Sequence, residues 1–586
     1  MTIDTDQPFI LLDDARADGG GARLYVRPIG VVSASRLDEV APALAALRAA
    51  AARGLHAAGY IGYEAGLALE GRLDRLPVAQ GGAPLLWFGL FEGFSRPDAD
   101  ALAAMLGNPA GAWAGAPRPR IAFADYAAAF DRVAGYIAAG DIYQANLSFR
   151  ADVPMAGDPL ALYAAMRSAS RSGWGGVVFT GRHWLLSCSP ELFFTLEEGR
   201  LTARPMKGTA RRDADPARDA ALAGALAAVA KERAENLMIV DLLRNDLARV
   251  AEAGSVAVPA LFTVETYPTI HTLTSTVTAR LAPGRDAVDV LAAIFPCGSV
   301  TGAPKIRAME IIAGVEADAR GPYTGSIGWL DPAGDAAFNV AIRTLAMEQG
   351  SRVAELGLGS AVVADSTAAG EWRECLAKGA FVTAAMRPFD LIETMRFDAA
   401  GGLVELERHL ARMKASADAL DFPFDRHVAR NELQAATFRL RDPRRVRLML
   451  SPSGALAVEV RPLPANPAVA NVAMAPLPVA PGDFRLRHKT SDRAAHDDAR
   501  RAAGTFEVLF TDPEGRLTEG SFTSLFVARG GRLVTPPLER GLLPGILREV
   551  LIAEGRAEEG DLAPADLAGG FFIGNSLRGL IPARLV

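Results

Sequence analysis

Lysine is scarce in this chain. Of 62 basic residues only six are lysines: Lys207, Lys231, Lys305, Lys378, Lys414 and Lys489. Arginine fills most surface-charge roles, but it neither acts as an amine nucleophile nor condenses with an aldehyde, because it keeps its proton in proteins. Each lysine is therefore a candidate for amine chemistry. Lys207 stands in RPMKGTARR (204–212). Lys378 closes GEWRECLAK (370–378), four residues after Glu374, so on a helix the two share one face as an ion pair or part of a binding site. Glu235, in KERAENLMIVDLLRNDLARV (231–250), is a second helical carboxylate far away in sequence. Two such carboxylates without His or Cys partners suit a hard, oxygen-preferring ion such as Mg2+ better than zinc. The turn GSVTGAP (298–304) can offer backbone N–H groups to an anion. Further on, Lys489 follows a strand-like run in HKTSDR (488–493), and Glu519 lies in RLTEGSFTSLFV (516–527). The string PGILREV (544–550) sets a Pro-Gly turn before a helix, whose free N–H groups and dipole suit a phosphate or simply start the helix.

These residues must be held by more than one domain. The chain has 586 residues, half of them hydrophobic and 22% charged, enough for several cored domains and incompatible with a disordered chain. The net charge of −6, with no basic run, argues against a nucleic-acid partner. No apolar stretch reaches the roughly 18 residues of a membrane span. The acidic start MTIDTDQPFILLDDARADGG lacks the basic region of a secretory signal, and Cys188, Cys297 and Cys375 form no CxxC, so a cytoplasmic protein is expected. The Gly/Pro/Ala-rich stretch 107–120 reads as a subdomain seam after an N-terminal part, 1–115. Residues 121–384 alternate helical segments such as 123–140 and 234–250 with strand-like runs such as 176–181 and 336–347. The register changes around Met386–Arg387–Pro388, predicting domains over 1–385 and 386–586.

The ordered strings GDIYQANLS (140–148), SPELFF (189–194), RPMKGTARR, KERAENLMIVDLLRNDLARV, PTIHTLTSTV (268–277), FPCGSVTGAPKIRAMEII (295–312) and GEWRECLAK resemble the chorismate-utilising enzymes over 121–384. That resemblance implies a sandwich of antiparallel sheets with outer helices and a Mg2+-dependent site for chorismate. By position, Glu235 and Glu374 resemble the metal ligands. Tyr323, Arg343 and Lys378 resemble the groups that receive the enolpyruvyl carboxylate. His271 matches a histidine near the departing hydroxyl, Thr209 follows the PxKGT loop, and Glu191 looks like a general acid. Lys207 is similar to the lysine of the aminodeoxychorismate synthase branch, where the amine attacks ring C2 and ammonia then displaces it at C4. Anthranilate synthases typically carry alanine there, and the isochorismate and salicylate enzymes use water or elimination. Two departures are Asp13-Asp14, where tryptophan-sensitive relatives have Glu-Ser, and Ala361, where the family usually has glycine.

Residues 386–586 resemble the fold-type IV pyridoxal 5'-phosphate enzymes, among them aminodeoxychorismate lyase. The implied fold is a two-subdomain α/β (α+β) unit. Lys489 is similar to the lysine that binds the cofactor, and Glu519 to the carboxyl that meets the pyridine nitrogen. Arg412, with backbone at Ile546 and Leu547 and with Ser576, resembles the phosphate site. Thr523-Ser524 replaces the usual Ser-Asn. Joined, the two resemblances imply a bifunctional 4-aminobenzoate machine of the folate pathway. The rivals are an anthranilate or salicylate-type domain fused to an aminotransferase, and a C-terminal docking module without catalysis. No G-x-C-x-G string of a glutamine amidotransferase occurs, so a separate glutaminase subunit or free ammonia is the expected nitrogen source.

Overall fold

The computed structural model describes residues 3–16, 18–73, 75–76, 82–266 and 270–586, apart from the side chains of Thr209, Arg211, Ala230, Lys231 and Ile270. The chain divides into two compact units. The first comprises Met1–Leu106, Ala116–Val153 and Tyr163–Ala385, and the second Gly107–Gly115, Pro154–Leu162 and Met386–Val586. Helices and largely antiparallel sheets make both, an α+β architecture.

The first unit is built on two ten-stranded sheets. One runs in the order Gly302–Ala303, Gln144–Ala156, Val353–Val362, Thr344–Glu348, His183–Ser189, Trp174–Phe179, Phe9–Asp14, Gly21–Val26. The other runs Met206–Arg211, Ile270–Arg280, Arg200–Arg204, Leu192–Glu197, Ala336–Asn339, Ser326–Leu330, His56–Ile61, Leu86–Phe91, Gly30–Ala34. Ile10, Tyr25, Val178 and Leu185 of the first sheet share one apolar cluster with Tyr60, Trp87, Phe91 and Ile327 of the second. The two sheets therefore pack face to face as a sandwich. Strands such as Leu86–Phe91 and His183–Ser189 are buried at every residue, because their second face is covered as well. Helix Ala230–Ala248 supplies part of that cover, with Ile239, Val240, Leu243 and Leu247 in an extended apolar cluster of the unit. Each such side chain contributes about 1.5–3 kcal/mol by leaving water. No helix among the described residues is long and apolar enough to cross a membrane.

The second unit has a four-stranded sheet, Gly402–Leu403, Leu391–Asp398, Arg444–Leu450 and Leu456–Pro462. Helices Leu406–Ala419 and Arg426–Thr437 pack on it through Leu410, Met413, Ala417, Ala429 and Leu433. Its eight-stranded sheet is mixed: Ala470–Pro476 pairs in parallel with Glu507–Thr511 and Gly579–Leu585, Arg532–Thr535 pairs in parallel with Ala557–Glu559, and the other ladders are antiparallel. The segment bearing Lys489 is tied to the small sheet, since its carbonyl accepts from Ile392 N at 2.9 Å and Leu391 bridges Thr490.

Two candidate active sites

In the first unit a cavity of about 280 Å³ gathers residues from ten separated stretches. Lys207 reaches it from the strand Met206–Arg211, and the reason lies in the next residue. Lys207 pairs with Leu273 but Thr209 pairs with Thr272, so Gly208 is an extra residue, a β-bulge at φ +78°. The left-handed backbone there demands glycine, and a Cβ would also fall 2.5 Å from Glu232 Oε2, forcing that carboxylate aside. The bulge re-aims Lys207 into the cavity. No hydrogen bond holds Lys207 Nζ among the described residues. Confinement there, with the Lys378 charge, keeps its ammonium below the usual lysine range against the opposing pull of Glu235.

Glu191, 4% exposed, lies beside it just before the strand Leu192–Glu197. Burial pushes its carboxyl up to about 7, although Ser299 Oγ donates to Oε1 at 2.7 Å and the Lys207 and Lys378 charges pull it down. A carboxyl at that value holds a proton near neutral pH and can release it. Two helices bring further carboxylates. Glu232 and Glu235 lie one turn apart on Ala230–Ala248, Glu371 and Glu374 one turn apart on Ala368–Gly379, and all four line the cavity. Lys378 Nζ contacts Glu374 at 2.8 Å and donates to Gly359 O at 3.0 Å. This all-oxygen donor set fits Mg2+ in chemistry, although no three of these carboxylates stand as a ready-made metal shell among the described residues.

Tyr323 and Arg343 complete the wall opposite. Tyr323 is buried with its ring against the Val353–Val362 strand, where a Cβ on Gly357 would stand 2.0 Å from its Cγ. Its loop is fixed by groups that sequence motifs did not single out. Glu64 accepts from Arg320 N at 2.6 Å and Gly321 N at 2.8 Å, while the Arg320 guanidinium donates to Val300 O, Asn146 O and Glu316. Ala361 lies in the cavity wall with its methyl group. His271 is not brought to the cavity: its Nε2 is 2.9 Å from Asp219 Oδ1 and its Nδ1 2.9 Å from Thr266 Oγ1, and the neighbouring Thr272 lines the space instead. The side chain of Thr209 lies outside the described residues. Asp13 is also engaged elsewhere, by Tyr163 Oη and Arg167.

A second cavity lies within the second unit, walled by Lys489, Glu519, Arg412, Arg493, Gly520–Ser524, Ile546 and Ser576 among others. Burial, with the Arg412 and Arg493 charges, lowers the Lys489 amine to about 7, so about half of it is neutral at that pH. Burial also raises Glu519 to about 8, with Leu543 N donating to it at 3.1 Å. A neutralisable amine, a buried carboxyl and a helix start at Ile546 are the donor types that a pyridoxal phosphate requires, so the residues fit that group. Arg412 lines the cavity but is anchored within the protein, donating to Glu393 at 2.8 and 2.7 Å and to Pro544 O at 2.7 Å. Glu393 is buried, which raises its carboxyl, yet the Arg412 charge and the hydrogen bonds of His409 and Arg412 bring it to about 2. His409 extends the chain to Ser576 Oγ at 3.0 Å. The side chain of Leu547, second in helix Ile546–Ala553, packs with Phe526 and Leu551, so only its backbone is left for a phosphate at the helix start.

Comparisons with known proteins bear on both units. A family model described as chorismate binding enzyme matches residues 7–384, and one described as amino-transferase class IV matches residues 390–586. Aminodeoxychorismate synthase component 1 of Klebsiella aerogenes is 45% identical over 254 residues, 43% of this chain and 56% of that protein. Anthranilate synthase component 1 of Streptomyces coelicolor is 44% identical over 262 residues, 44% of this chain and 50% of that protein. The chain thus spans about half the length of these curated relatives. A crystal structure of anthranilate synthase component I from Streptococcus pneumoniae aligns with a TM-score of 0.54 at 25% identity, covering 65% of this chain and 94% of that one. With the sandwich, the carboxylate-lined cavity and a family match over more than half its length, the chain belongs to the chorismate binding enzymes and carries a class IV amino-transferase domain after that part.

Proposed function

We propose that the first unit aminates chorismate at C4, giving 4-amino-4-deoxychorismate, and that the second eliminates pyruvate from that product to release 4-aminobenzoate. The observation that carries the reading is the pair formed by Lys207 and Glu191 in one cavity: an amine held below its usual pKa beside a carboxyl held near 7. Hydroxide is a poor leaving group. Glu191 protonates the C4 hydroxyl as the Lys207 amine attacks C2, the ring double bonds shift, and water leaves. Ammonia then attacks C4, the double bonds shift back, and the Lys207 amine is expelled. Tyr323, Arg343 and Lys378 orient the enolpyruvyl carboxylate, while Glu235 and Glu374 are the groups to hold Mg2+. When bound, that ion neutralises part of the substrate's charge.

In the second unit Lys489 would hold pyridoxal 5'-phosphate, with Glu519 at the ring nitrogen and Arg412, Ile546 and Ser576 toward the phosphate. When bound, the cofactor supplies an electron sink that acidifies the ring C–H beside the substrate amine. Lys489, with its amine near 7, is the base to move that proton. The relatives' description as a component 1 supports a separate glutaminase partner as ammonia source. Because a relative named anthranilate synthase is almost as similar, amination ortho to the ring carboxylate is the second reading. Incubation with chorismate, Mg2+ and ammonium, followed by chromatography, decides: a C4-aminated product supports the first reading and anthranilate the second.

A further inference from the structure

The turn that follows Glu519 forms one wall of the second cavity, and a buried carboxylate outside that wall determines its shape. Gly520, Ser521, Phe522, Thr523 and Ser524 all line the cavity. Glu507, at the start of the neighbouring strand Glu507–Thr511, is 0% exposed and does not line it. Three donors of the turn meet Glu507 at measured distances: Ser521 N at 2.9 Å, Phe522 N at 3.1 Å and Thr523 Oγ1 at 2.7 Å. Ser521 Oγ donates as well, and so does Val508 N at 2.9 Å. Burial raises the Glu507 carboxyl above its usual range, and the hydrogen bonds of Ser521, Thr523, Val508 and Phe522 oppose that rise. The carbonyls of the turn are fixed from other directions, Phe522 O by Asn575 Nδ2 at 3.0 Å and Ser521 O by Arg493. Gly520 is needed where the turn begins, because a Cβ there would fall 2.6 Å from Thr523 Oγ1 and 2.7 Å from Glu507 Oε2. Such density of hydrogen bonds around one carboxylate exceeds what the ladder of these strands needs. A turn this fully bound has one conformation rather than several.

We propose that Glu507 is the positioning residue of the second site: by collecting the N–H and O–H groups of Ser521–Thr523 it sets the cavity wall, and with it the affinity for the cofactor. The proposal rests on the reading that this cavity takes pyridoxal phosphate. Glu507→Gln is nearly isosteric but cannot reproduce the pattern. If the amide nitrogen replaces Oε1 it faces Val508 N–H and Ser521 N–H, and if it replaces Oε2 it faces Phe522 N–H. Either way a buried donor loses its acceptor and the turn must move.

The test uses the full-length protein, freed of cofactor and titrated with pyridoxal 5'-phosphate while bound-cofactor absorbance and tryptophan fluorescence are followed. Glu507→Gln should raise the Kd at least tenfold, and Ser521→Ala, which removes one side-chain donor, about threefold. Val534→Ala, in the apolar cluster of the same sheet but on the strand Arg532–Thr535, which pairs with neither Glu507 nor the turn, is the control for destabilisation alone. It should lower the melting temperature yet leave the Kd within twofold. Chorismate consumption by the first unit should be unchanged in all three. An unchanged Kd in Glu507→Gln, or an equal loss in Val534→Ala, overturns the proposal. If Glu507→Gln fails to fold, an unchanged Kd in Ser521→Ala overturns it. A parent protein that binds no pyridoxal phosphate overturns the functional reading of the cavity itself, a result distinct from parent binding that the variants leave untouched.

Discussion

Replacing Glu191 by glutamine should inactivate the first site and, at alkaline pH, stabilise the protein. Glu191 rises from the ordinary 4.5 to about 7 because it is buried, and that rise corresponds to roughly 3 kcal/mol of preference for the neutral form. An acid whose folded pKa is raised binds its proton more tightly folded than unfolded between those two values. Stability is therefore fully present below about 4.5, falls as pH rises toward about 7, and stays level above it. Glutamine has no proton to lose, and its Oε1 can still accept from Ser299 Oγ. Relative to the parent, Glu191→Gln should thus gain up to roughly 3 kcal/mol at pH 8 and nothing at pH 4.5. That gain amounts to a melting temperature several degrees higher. The same change removes the proton donor, so chorismate consumption should fall by about 10²–10⁴-fold. In the parent, consumption should decline above about pH 7 as Glu191 ionises, and the limb for neutral Lys207 should lie below the usual lysine value. Thermal melts at pH 5 and pH 8, with a chorismate assay on the same samples, measure both effects. A variant no more stable than the parent at pH 8, or one with parental turnover, refutes the reasoning.

Other outcomes follow from the same geometry. Lys207→Ala should reduce amination at least ~10³-fold while cofactor spectra and the second reaction stay intact, since the step needs a neutralisable amine and the other lysine of the cavity, Lys378, is held charged by Glu374. Glu235→Gln, Glu374→Gln or chelation should stop the first reaction only; equal inhibition by EDTA of the conversion of purified 4-amino-4-deoxychorismate would contradict the division of labour. Lys489→Ala should let 4-amino-4-deoxychorismate accumulate with little 4-aminobenzoate or pyruvate, and an added independent lyase should restore product. Parental release of 4-aminobenzoate by that variant would remove the second unit from the pathway.

Much of the fold was legible because its signals are local. The alternation of helical and strand-like segments before the change of register near Met386 corresponds to the sandwich of the first unit, and the strand-turn-strand-helix opening at Leu391–Ala419 to the small sheet of the second. Parallel pairing inside the eight-stranded sheet was not legible, since a short apolar run reads the same whichever way its neighbour points. Among site residues, those with unusual types in dense strings, such as Lys207, Glu191, Glu235, Glu374, Lys489 and Glu519, all reach a cavity wall. Glu232 and Glu371 were missed although a spacing of three from Glu235 and Glu374 could have revealed them, because such pairs are common on solvated helix faces. Glu64 and Glu507 had no signal in the sequence. Their roles come from hydrogen bonds between distant segments, and an isolated glutamate does not announce burial. His271 shows the reverse case: a motif position identifies the residue, but Asp219 and Thr266 decide where its ring nitrogens bond.

The central claim is that the amine of Lys207 attacks the chorismate ring. Intact-protein and peptide mass spectrometry after incubation with chorismate and Mg2+, with ammonia withheld, tests it most directly. The account predicts an adduct of chorismate less one water on the peptide carrying Lys207, discharged as C4-aminated product when ammonium is added and absent in Lys207→Ala. An adduct on another residue, or product formation in Lys207→Ala at the parental rate, would contradict it.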